Sequence, residues 1–192
     1  MKLAIYILFL SKTLSGMPNE PPSVDKMAIE TVERFLSWVE KNKPSGIYRD
    51  RFGKELPVLL SPELLCLLEN ASAIRETSAR EFPSEKPPFV EGNPFYPNAW
   101  EPVKRTAIIS SRTEENGQGI RVYVRFLYSN DISYTSIYKI HIKNNEARIN
   151  DINAGGTCDF CQTGSLRESL YRELTNWPGA SIERCSMPVN KK

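Results

Sequence analysis

Histidine is almost missing from this chain: His141 is the only one in 192 residues. Metal sites built on several imidazoles are thereby excluded, and a general base of the common kind has one candidate. No serine elbow, metal-ligand helix or phosphate-cradling glycine loop occurs either. Long apolar runs are also absent. The longest, Leu3 to Leu10, falls far short of the roughly 20 residues that span a bilayer as a helix, so no transmembrane segment is expected. An excess of charge of one sign is lacking too. Lys and Arg number 25 against 23 Asp and Glu, a formal +2. Two of those cations, Lys2 and Lys12, lie in the leader, so the chain from Leu14 onward sums to about zero. Nucleic acid calls for a clustered basic face, and mixed signs at neutral balance predict none. There is no internal repeat.

What is present begins with a leader, MKLAIYILFLSKTLSGMPNEPPS. One basic residue, a short apolar stretch and a polar, small-residue stretch give the layout of a secretory signal peptide over residues 1–16. Thr13 and Ser15 suit cleavage before Gly16. Leu14-Ser15-Gly16 is what precedes the lipidated cysteine of a bacterial lipoprotein, yet Met17 stands where that cysteine would be. The leader therefore predicts a protein free in the periplasm or secreted, followed by a linker over residues 17–24.

Asp25 to Lys43 carries apolar residues at three- and four-residue steps (Ile29, Val32, Phe35, Leu36, Val39), the period of a helix. Ser23 or Asp25 can cap its start, and Pro44-Ser45-Gly46 ends it. Ser61-Pro62-Glu63 combines a cap, a first-turn proline and an early carboxylate, and predicts a second helix fading near Phe82. The Pro-studded stretch FPSEKPPFVEGNPFYPNAWEP cannot be regular. After it the period changes to two. Val103–Arg112, Ile120–Ser129, Tyr134–Lys143 and Ala147–Ile152 read as four strands, joined at Asn116-Gly117, Asn130-Asp131 and Asn144-Asn145. In the second strand Ile120, Val122, Val124, Phe126 and Tyr128 share one face, Arg121, Tyr123 and Arg125 the other. Ser165 to Asn176 reads as a closing helix. The fold class is α+β: N-terminal helices packed on a curved antiparallel four-stranded meander, followed by a C-terminal helix. Residues 25–177 form a single domain and 178–192 a tail.

Three stretches carry a resemblance: EGNPF (Glu91–Phe95), ARINDI (Ala147–Ile152) and TGSLRESLYREL (Thr163–Leu174). Together, over roughly Val24 to Leu174, they resemble DUF3828, the domain of YbjP-like bacterial envelope lipoproteins. The resemblance implies a cone-like fold of the SnoaL and nuclear-transport-factor-two kind. It also implies a site-like strand at Asn150 and Asp151 and a loop around Phe95. It supplies no catalytic residues. Met17 and the CDFC insertion depart from the family pattern.

CDFC places Cys158 and Cys161 just upstream of a helix. A CxxC there can serve redox chemistry, because a helix dipole stabilises a thiolate. The frame is wrong for a thioredoxin-like motif, which sits in a βαβ unit. Zinc would need two further ligands, and no metal or other cofactor is expected. The four cysteines, an even number, predict structural disulfides in an oxidising compartment. Three connectivities are open. Tying Cys158 or Cys161 to Cys185 would close a loop of about 25 residues, worth roughly 3.5 kcal/mol, and pin the tail after Trp177-Pro178-Gly179. Cys66, among leucines, reads as a buried thiol.

Asp151 alternates with Ile149 and Ala147 and should share their dry face, where a carboxylate needs hydrogen bonds. The reading we favour is that it caps a helix or orders the Gly155-Gly156 loop. His141 alternates with Lys139 and Lys143 and should face water. Phe89, Phe95, Tyr96 and Trp100 crowd the proline-rich segment, as a rigid contact surface or as plugs for the open end of the core. Asn70-Ala71-Ser72 matches a glycosylation sequon inside a helix. The functional expectation is a non-catalytic envelope protein that binds a protein partner or a small ligand through Phe89, Phe95, Tyr96, Trp100, Tyr128, Asn150 and Asp151. Two alternatives stand beside it. One is a periplasmic immunity protein that blocks a toxic effector, favoured by a large acidic or aromatic patch on the sheet. The other is a cone enzyme with Asp151 in one pocket with Tyr128 or Tyr138.

Overall fold

The structure, a computed structural model, describes residues 23–115, 117, 119–177, 180, 182 and 185. The signal-peptide and lipidation-site readings, nearly all of the linker, Pro178-Gly179 and most of the tail fall outside them. Helix α1 spans Val24–Asn42, capped by Ser23, whose side chain accepts from the Lys26 N–H. A 3-10 turn at Arg49–Arg51 and the short α2 at Leu56–Leu59 follow. Helix α3 spans Pro62–Glu81, capped by Ser61. The strands are β1 Val103–Thr113, β2 Gly119–Tyr128, β3 Ser133–Lys143, β4 Glu146–Gly155 and β5 Thr163–Ser165. Helix α4, Leu166–Thr175, closes the domain.

The sheet is antiparallel throughout, in the order β1-β2-β3-β4-β5. The expected four-stranded meander is thus corrected to five strands. The fifth is Thr163–Ser165, of which the sequence pattern assigns only Ser165 to an element, the start of the last helix. Its Gly164 takes φ +78°, a conformation open to glycine.

Alternation on β2 and β3 sends Val122, Val124, Phe126, Tyr138 and Ile140 to one face, where all are fully buried. Helix α1 lies across β1 to β4 on that face and supplies Val32, Phe35, Trp38 and Val39. Phe35 meets Phe95 and Tyr138 edge-on, with ring centroids 5.2 and 5.8 Å apart. Each such pair adds about 1 kcal/mol to what burial of the rings contributes. The other sheet face is polar and open: Arg112, Arg121, Arg125, Thr135 and His141 are exposed there, so the expectation that His141 faces water holds.

Strand β4 lies at the rim, and its free edge is covered in two pieces. Leu60 makes a parallel bridge to Ile149 just before α3, and β5 pairs with Asn153 to Gly155 just before α4. Both helices therefore start against the same strand.

Candidate functional site

A cavity of about 350 Å³ opens beside β4. Its floor is Ile152 and Ala154. One wall is the loop pair carrying Ile47, Phe89 and Phe95; the opposite wall is Leu166, Ser169 and Leu170 on the first turns of α4. Gln162, Thr163 and Ser165 supply hydroxyl and amide groups, and Glu91 and Glu173 also line it. The lining is predominantly apolar with a few polar groups, and the volume lies within the ordinary range for small-ligand sites.

The wall formed by the proline-rich loop is held by backbone. Gly46 N–H donates to Gly92 O at 2.7 Å and Ile47 N–H to Phe89 O at 2.8 Å. Gly46 has φ +73°, and a Cβ there would press into Phe89 and Val90 backbone at 2.6 Å. The turn carrying Gln162 is tied to the same loop, because Gln162 N–H donates to Pro97 O and its side-chain amide to Asn93 O. The cavity is thus built from four segments far apart in the chain and braced to one another.

Next to the cavity, but not lining it, lies a buried polar hub on β4. A bulge interrupts pairing with β3: Ile152 faces Tyr138, Asp151 faces Lys139, and Ile149 faces Ile140. The extra residue is Asn150. The bulge corrects the expected alternation, since Asp151 falls on the Lys139 side and Ile152 takes the place beside Ile149 on the core face. The Asp151 carboxylate accepts from Ser165 Oγ at 2.8 Å, from the backbone N–H groups of Ile152 and Arg167, and from Lys139 Nζ at 3.1 Å. Asn150 Oδ1 accepts from Ser61 Oγ and from Arg167 Nη1 at 2.7 Å, while its amide nitrogen pairs with His141 Nε2. Burial lowers the Arg167 pKa below its ordinary value, and the nearby Asp151 opposes that shift.

Ser61 caps α3 and Ser165 caps α4, each accepting from the N–H three residues on. Each also donates to one of the two adjacent β4 side chains. Asp151 further accepts the Arg167 N–H in the first turn of α4, where the helix dipole favours a carboxylate. Asn150 and Asp151 accordingly join two helix starts to the rim strand.

The other expected site residues are dispersed. Phe89 lines the cavity with φ +57°. Phe95 also lines it, but is 2% exposed and packs on Phe35 and Trp38. Tyr96 lies against Phe126, and burial, reinforced by Glu40, pushes its phenol up to about 12. Tyr128 is fully buried; its oxygen accepts from the Asn98 N–H at 2.9 Å, and burial raises its phenol to about 12. Trp100 is 59% exposed and stands apart from the cavity lining. The loop therefore divides between core plug and cavity wall. Leu166, Ser169, Leu170 and Gln162 went unread as lining. Leu166 and Leu170 show only as a helical stripe, the ordinary sign of core packing.

Of the three connectivities left open by the sequence, the structure shows one that ties neither cysteine of CDFC to the tail. Cys66 joins Cys185, 119 residues apart, and Cys158 joins Cys161 within CDFC. Neither Cys158 nor Cys161 reaches Cys185, and Cys66 is not a free thiol. Helix α3 turns Cys66 toward the position where the chain returns after α4, and Asn70 Nδ2 lies 3.4 Å from Cys185 Sγ. Cys161 lines the cavity, and its turn leaves Phe160 80% exposed. Two disulfides fit an oxidising compartment. No helix among the described residues is long and apolar enough to cross a membrane, and no group of three or more His, Cys, Asp or Glu among them could hold a metal ion.

Neither a family model nor a curated protein matches the chain. Among solved structures, a phospholipid-binding protein from Ralstonia solanacearum, in complex with a phospholipid, matches over 85% of this chain and 95% of its own, at 11% identity and a TM-score of 0.44. That likeness is distant, and nothing about the ligand of this chain follows from it.

Proposed function

We propose that this chain is an exported, non-catalytic binding protein whose ligand is a small, largely apolar molecule held in the cavity between the proline-rich loop, β4 and α4. The observation that carries the reading is the cavity itself: about 350 Å³, walled by Ile47, Phe89, Ile152, Leu166 and Leu170 with a few hydroxyl and amide groups. Apolar walls supply most of the affinity and the polar groups fix orientation. The engagement of the Asp151 carboxylate by four donors supports a binding role over catalysis. The resemblance to DUF3828, with its cone-like fold and its signal peptide over residues 1–16, belongs to the same reading, and the two disulfides support it.

The test is titration with the neutral fluorescent probe N-phenyl-1-naphthylamine. The expected result is saturable binding of one equivalent, weakened at least tenfold by Ser169→Trp, which places an indole in the cavity from the half-buried face of α4. Failure of the wild-type protein to bind the probe, or unchanged binding by the variant, overturns the reading.

A further inference from the structure

The near-zero net charge hides a local excess of cations. On the open face of the sheet, strand register sets Arg112 opposite Arg121 and Arg121 opposite Lys139. Like charges placed so, about 5 Å apart across neighbouring strands, repel and cost stability. Glu114 answers Arg121 at 2.9 Å and Asp151 answers Lys139 at 3.1 Å. Arg112, with Arg105 and Arg125 on the same face, has no ion pair among the described residues, and all three are exposed. One register step from the row of three cations, Tyr123 lies opposite Ile137, both half-buried. Cations outnumber acids on this face: Glu114, Asp151 and Glu146 are paired with Arg121, Lys139 and Arg148, while Arg105, Arg112 and Arg125 stand around a small apolar strip.

We propose that this open sheet face docks on an anionic lipid surface. Charge complementarity makes the case. The array is a regular pleat of long, flexible cations with apolar side chains set between them. A fluid plane of headgroups can bring an anion to each cation without matching a fixed shape, and the repulsion within the row is relieved as it does so. A second copy of the face carries the same sign and is disfavoured. Single-stranded nucleic acid would need several aromatic platforms for base stacking, and this array offers only Tyr123. The contact is peripheral and independent of the cavity.

The test is flotation of the full chain with vesicles of phosphatidylcholine and phosphatidylglycerol at 7:3, against phosphatidylcholine alone, at 50 and 500 mM salt. The expected result is at least tenfold greater binding to the anionic vesicles at low salt, lost at high salt. The double variant Arg112→Glu/Arg125→Glu should lose at least tenfold, since each cation near such a surface contributes appreciably. Arg34→Glu/Lys41→Glu, the same charge change on the exposed side of α1, should retain binding, and circular dichroism should find both variants folded. Equal binding to the two vesicle types, equal loss in both double variants, or tighter binding to a DNA duplex of matched charge concentration overturns the proposal.

Discussion

Ser165 donates its hydroxyl proton to Asp151 Oδ2 at 2.8 Å while accepting the Glu168 N–H at 3.1 Å. One hydroxyl thus caps α4 and fastens it to the rim strand. Asp151→Ala removes the acceptor for four donors, three of them in buried bonds. Stranded buried donors are costly, so the loss is expected to be about 3 to 5 kcal/mol of unfolding free energy by urea titration. Ser165→Ala should cost about 1 to 2 kcal/mol. A loss under 1 kcal/mol for Asp151→Ala would show that the hub is not what holds α4.

Two fully buried tyrosines should respond in opposite directions to loss of their hydroxyl. Tyr128 is bonded to the Asn98 backbone, whereas the Tyr138 hydroxyl has no hydrogen-bond partner among the described residues. Tyr128→Phe leaves the Asn98 N–H without its acceptor and should cost about 1 kcal/mol. Tyr138→Phe removes an unsatisfied buried group and should be neutral or stabilising by a similar amount. Melting temperatures of the two variants, compared with wild type, decide the matter.

Alkaline pH should unfold the protein through the same rings. Burial lifts the Tyr96 and Tyr128 phenols from the ordinary 10 to about 12, and lifts that of Tyr138 well above it. A phenol whose folded pKa is raised holds its full stabilising effect below pH 10. Above pH 10 the unfolded state ionises first, and stability falls until the folded pKa is passed. For Tyr128 the loss by pH 12 is on the order of 2 to 3 kcal/mol. Unfolding free energies at pH 9 and 11 should differ, and the difference should shrink in Tyr128→Phe. A flat profile across that window would contradict the burial effect.

The helices and long strands were legible because their periods are long and their caps explicit. Ser61-Pro62-Glu63 fixes the start of α3 to the residue. Where reading failed, a nonlocal contact had overruled a local rule. The bulge at Asn150 shifts Asp151 to the opposite face, and a period-two count along β4 has no means of registering it. Strand β5 exists because β4 has an open edge beyond Asn153, not because Thr-Gly-Ser favours extension. The partner of Cys66 depends on where the chain passes after α4. The cavity likewise needs Gly46, Phe89, Ile152 and Leu170 together, and no spacing in the sequence relates them. Net charge says nothing of a single face: alternation along β2 already sets Arg121 and Arg125 together, and only the strand register adds Arg112 to them.

The two disulfides should differ sharply in their effect on stability. On the chain-entropy model the stabilisation grows with the loop closed. The Cys66–Cys185 bridge spans 119 residues and encloses α3, the sheet and α4; the Cys158–Cys161 bridge spans 3. The corresponding contributions are about 5 and 2 kcal/mol. Cys66→Ala/Cys185→Ala should therefore lower the urea midpoint far more than Cys158→Ala/Cys161→Ala. The second pair should act instead on the cavity, because Cys161 lines it and Gln162, next in sequence, is bonded to Pro97. Its expected signature is weakened probe binding with a stability loss of about 2 kcal/mol, well short of that of the long bridge. The reverse ranking, with the short bridge dominating stability, would mean that the CDFC turn organises the rim of the fold and not merely the wall of the site.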